Sequence, residues 1–72
     1  MDKVQEKLRT LLDYWIQHNH EHEAEFREWA AKIVFSSSEV AQQLGEAAAK
    51  LAEANGDLIK ARQILTDILR GH

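Results

Sequence analysis

Apolar residues recur at three- and four-residue steps through the first half of this chain. Val4, Leu8, Leu11, Leu12 and Trp15 share one face of a helix turning about 100° per residue, and Phe26, Trp29, Ala30 and Ile33 continue that face almost in phase. The stripe is interrupted by His18-Asn19-His20-Glu21-His22. His22 falls in its middle, His18 and Asn19 on its two edges, and His20 points away. No glycine or proline breaks the chain there, and a reversing loop would match the phase only by chance, so the pattern predicts one continuous or mildly kinked helix over about residues 3–34, opening at the carboxylate of Asp2. The competing reading has Asn19 capping a new helix, with Glu21 and Glu23 in its acidic first turn.

The second half is punctuated more clearly. Ser36, Ser37 and Ser38 predict a reversal, and Ser36 with Glu39 has the spacing of a capping box. Val40, Leu44, Ala47, Ala48, Leu51 and Ala54 then form the face of a helix in which Gly45 suggests a tight crossing. Asn55-Gly56-Asp57 reads as helix end, left-handed glycine and new cap, followed by a last helix over Asp57–Leu69 that presents Leu58, Ala61, Leu65, Ile68 and Leu69 and stops before Gly71. The expected fold is all-α and spans residues 1–72 as a single domain: a long N-terminal helix plus a helical hairpin, a three- to four-helix bundle. Two short helices cannot cover a helix twice their length, which predicts a homodimer with two-fold symmetry or another helical protein as partner. A bend at Asn19 would instead close a monomeric four-helix bundle.

Composition narrows the function. The 72 residues contain no proline and three glycines, and Ala, Leu, Glu, Gln and Lys dominate, which favours helix throughout. A chain this short sits near the limit at which a hydrophobic core alone offsets chain entropy. The absence of cysteine removes disulfides, thiolate catalysis and cysteine-ligated metal, leaving histidine and carboxylate as the only ligands. A net charge of −3, with the nine basic residues scattered, argues against nucleic acid. No apolar run approaches the roughly 20 residues of a membrane span, and no secretory pattern opens the chain, so the expectation is a cytoplasmic protein.

The chemistry with most support lies in the interrupting run. His18 and His22 are four apart, neighbours on one helical face at the spacing used for two-imidazole chelation, and Glu25 lies on the same side. The candidate site is a divalent transition metal (Ni, Co or Zn) held by His18, His22 and Glu25, with Asn19 as an outer hydrogen-bonding residue or one that orients a partner helix, and Trp15 and Trp29 as an aromatic wall. The run is not a zincin motif, since Asn19 stands where glutamate is needed, and no Glu-x-x-His pair of the di-iron type is present. An enzyme is not expected, because no nucleophile has an activating base: Ser36 to Ser38 serve as caps, and His72 is a terminal residue without a partner in sequence. The alternative makes the histidines structural, with His22 fixing register against a facing helix in an oligomerisation or protein-interaction module.

The stretch Trp15-Ile16-Gln17-His18-Asn19-His20-Glu21-His22, followed by Phe26 and Trp29-Ala30, resembles a small family of uncharacterised prokaryotic helical domains with the pattern W-I-x-H-N-x-x-H and then F-x-x-W-A. Domains of that kind occur alone or attached to nickel accessory proteins. The resemblance implies His18, Asn19 and His22 as the functional set and a metal-related role by association.

Overall fold

The computed structural model describes residues 3–71. It consists of two helices, α1 (Lys3–Ile33) and α2 (Ser38–Leu69). They run antiparallel as a hairpin with extents of 54 × 15 × 12 Å. The cap expected at Asp2, and His72, lie outside the described residues. Among those residues there is no strand, and no helix is long and apolar enough to cross a membrane.

Continuity of α1 follows from the sequence pattern: nothing in residues 17–23 removes a backbone donor, and Asn19 does not cap. Its side chain leaves the helix sideways, the amide Nδ2 donating to Asn55 Oδ1 across the hairpin at 3.1 Å.

The reversal falls where the three serines predict it, but the cap is one residue later than the capping-box spacing suggests. Ser37, not Ser36, occupies the N-cap in extended conformation (φ −156°, ψ 103°), and its Oγ accepts from the Val40 amide at 3.2 Å. Ser36 belongs to the turn, where its amide donates to Ile33 O at 2.9 Å and the Ser37 amide donates to the same carbonyl at 2.8 Å. Three adjacent serines offer three phases for a cap. The one whose backbone is extended while its hydroxyl reaches the third helical residue takes it.

The expected break at Asn55-Gly56-Asp57 is absent, which corrects the three- to four-helix count to two. α2 passes through all three residues, and the sole glycine with positive φ among the described residues is Gly71 (φ 85°), just past the helix end. Asn55 is spent elsewhere: it is 8% exposed, accepts from Asn19 and donates through Nδ2 to Ile16 O at 2.9 Å. These two bonds hold Asn55 on the inner face of a continuing helix, and Gly56 keeps a helical backbone in place of the left-handed one a helix end would need. Gly56 and Gly45 lie over open space, so the tight crossing expected at Gly45 is also absent. With helices of 31 and 32 residues, α2 runs the whole length of α1, and the length mismatch that suggested a dimer disappears.

What remains uncovered is a flank, not an end. Two columns of residues seven apart run down α1. Leu12, Asn19, Phe26 and Ile33 are buried or half-buried, whereas Leu8, Trp15 and Trp29 in the neighbouring column are 39%, 39% and 57% exposed. In α2 the column Leu44, Leu51, Leu58 and Leu65 is buried or half-buried, while Val40, Ala54, Ala61 and Ile68 stand exposed beside it. Among the described residues the buried hydrophobic ones are Leu12, Ala48 and Leu65.

Candidate functional site

His18 and His22 project from the middle of α1 on its uncovered flank. Their Nε2 atoms face each other at 3.0 Å, with ring centroids 4.4 Å apart and planes nearly perpendicular at 84°. Four-residue spacing extends the contact in both directions. Tyr14 stacks on His18 (5.4 Å, 11°) and His22 meets Phe26 (5.8 Å, 31°), giving a file of four rings along one helix.

Glu25 is drawn to the pair, but to the far side of it. Its Oε1 lies 3.2 Å from His22 Nδ1, the nitrogen opposite the one that faces His18. A carboxylate only accepts, so Nδ1 carries the proton; Nε2 of a neutral His22 is then the lone-pair nitrogen, and His18 Nε2–H is the donor between the rings. The carboxylate thereby fixes the tautomer and the orientation of the His22 ring. Among the described residues no three His, Cys, Asp or Glu side chains gather as a metal-holding group.

The other expected members are placed apart from the pair. Asn19 turns to Asn55 and serves the hairpin. Trp29 lies beneath Lys32, whose Nζ is 4.4 Å from the ring centroid and which also pairs with Glu28 Oε1 at 3.0 Å. The ring contacts to the histidines come from Tyr14 and Phe26, not from Trp15 or Trp29. His20 lies on the other side of the hairpin, in a shallow groove with Asp13, Gln17, Glu23, Gly56 and Ile59 that is spanned by an Arg62 Nη1–Asp13 Oδ1 ion pair of 2.9 Å.

Asn55 is the residue that sequence reasoning misplaced. The signal was available, because Asn55 falls seven residues after Ala48 on the apolar side of α2, just as Asn19 falls seven after Leu12 on α1. An amide within an apolar stripe on each of two facing helices is the mark of a matched pair.

Comparison with known proteins places this sequence in a family. A protein of Archaeoglobus fulgidus described as uncharacterized is 45% identical over 56 residues, covering 78% of this chain and 90% of the relative. No solved structure matches the chain. The model of a domain of unknown function, DUF8180, matches residues 8–65, and the chain belongs to that family.

Proposed function

We propose that this hairpin is a non-enzymatic binder of a divalent transition ion, ligated by Nε2 of His22 and by Nε2 of His18 once the His18 proton has passed to Nδ1 of the same ring, with Glu25 as the outer carboxylate that holds the His22 tautomer. The observation that carries the reading is the convergence of the two Nε2 atoms at 3.0 Å on an uncovered face. With metal–nitrogen bonds of about 2.0–2.1 Å, that separation corresponds to an angle of about 95° at the ion, suited to adjacent positions of an octahedral or square-planar centre such as nickel or cobalt. Tetrahedral zinc would need the nitrogens about 0.4 Å further apart, a small opening of the two rings. Water or a second protein fills the remaining positions. The same two histidines sit in the motif that resembles domains attached to nickel accessory proteins, which makes nickel the first ion to test.

The test is calorimetric titration of the metal-free protein with nickel, cobalt and zinc salts beside three variants. His18→Ala/His22→Ala abolishes the heat, Glu25→Gln weakens binding by about tenfold as removal of an outer ligand partner does, and His20→Ala, on the opposite face, leaves it unchanged. Equal heats from the wild-type protein and the double variant overturn the reading.

A further inference from the structure

The geometry points to a second copy of this chain as the occupant of the uncovered flank, with α1 of each copy lying on α2 of the other in a four-helix bundle. This goes beyond the metal reading and stands whether or not an ion binds.

The two open columns, exposed except for the half-buried His22 and Ala47, lie on the same side of the hairpin. The groove that holds His20, Glu23, Gly56 and Ile59 gathers residues from both helices on one side, and on helices of opposite direction the columns Leu8–Trp15–His22–Trp29 and Ala47–Ala54–Ala61–Ile68 then both fall on the other. Each column covers about 32 Å of helix, so with a width of 15 Å the face is about 480 Å², and two such faces together bury about 1,000 Å², the lower size of a specific interface.

The sizes of the side chains choose the partner. Asn19–Asn55 and Asp13–Arg62 fix which residues of α1 and α2 stand level with one another. A two-fold axis lying in the open face and parallel to the helices sets α1 over the partner's α2 while preserving those levels. Trp29 then meets the partner's Ala47, His22 the partner's Ala54, Trp15 the partner's Ala61 and Leu8 the partner's Ile68, each to within about 1.5–3 Å along the axis. Bulky rings thus fall on alanines down most of the interface, the large-on-small alternation that lets helices approach to about 8–10 Å. The other two-fold arrangement, α1 on the partner's α1, stacks the bulky columns on each other and leaves alanine facing alanine. Charge agrees with the first arrangement: Lys50, at the rim of α2, comes level with the partner's Glu25. The histidine pair lies inside the joint against Ala54, whose small side chain leaves space beside the two nitrogens.

Sedimentation equilibrium across the micromolar to millimolar range tests the assembly. The expected species has twice the 8.3 kDa chain mass. Ala54→Arg, a change at an exposed helical position that keeps the hairpin's helicity by circular dichroism, weakens it at least tenfold. The chain has no cysteine, so Glu25→Cys and Lys50→Cys copies can be mixed and treated with a short bismaleimide, which is expected to join one of each. A single-chain mass at every concentration, or a heterocomplex requirement seen only with an added helical protein, overturns the proposal. So does a dimer that Ala54→Arg leaves intact, or one in which the mixed copies do not join.

Discussion

Replacing Asn55 with alanine is the sharpest probe of the hairpin. The side chain is nearly fully buried, accepts from Asn19 at 3.1 Å and donates to Ile16 O at 2.9 Å. Each bond contributes about 1 kcal/mol net of its replacement by water. Alanine returns about 0.6 kcal/mol through its better helix propensity, so Asn55→Ala is expected to lower stability by about 1.5 kcal/mol. Asn19→Ala removes only one of the two bonds and gains the same propensity, which leaves a loss of about 0.4 kcal/mol. Because the Asn19–Asn55 bond is counted in both single changes, the double variant should be less destabilised than their sum by about 1 kcal/mol, a coupling measurable by urea unfolding followed at 222 nm at one fixed protein concentration. A coupling near zero would refute the bond as an energetic link, and an Asn55→Ala protein as stable as the wild type would refute the whole polar clasp.

The remaining predictions use the same denaturation assay. Ser37→Ala should lower stability by about 1 kcal/mol, the usual loss of an N-cap, while Ser36→Ala changes it by less than half as much; the reverse order would restore the cap to Ser36. Gly56→Ala should raise stability by about 0.5–1 kcal/mol, since the position is helical with open space around an added Cβ, and a loss would mean that the chain turns there after all. Gly71→Ala should instead destabilise, the backbone there standing at φ 85°. Arg62→Ala should change stability by less than about 0.5 kcal/mol, because both partners of its ion pair with Asp13 are substantially exposed, and a loss above 1 kcal/mol would assign that pair a structural role it lacks by its setting.

The helical class, the length of α1 and the reversal at the serines were legible from periodicity and turn chemistry, which act locally. The course of α2 was not. Asn-Gly-Asp is by local preference a helix end, and what overrides it is a pair of hydrogen bonds to residues 36 and 39 positions away, a tertiary term that no local window contains. The His18–His22 proximity followed from helical spacing alone. The same spacing brought Glu25 to the histidines, yet which ring and which nitrogen it meets depends on rotamers, and it meets Nδ1 of His22. Helical phase put Asn19 on the edge of the stripe opposite Glu25, open either to an outer role at the histidines or to a neighbouring helix, and only the tertiary bond to Asn55 shows that it faces α2.

A chain that doubles back once has a simple order of assembly. Each contact across the hairpin encloses a loop that lengthens with distance from the serine turn, from 36 residues at Asn19–Asn55 to 49 at Asp13–Arg62. Closing the first loop makes every later one a short extension of an existing zipper, so pairing spreads from the turn outward. Fraying runs the other way: the end where Val4 and Ile68 lie opens first, and a protease will find its earliest cuts there, well before the asparagine clasp halfway along lets go.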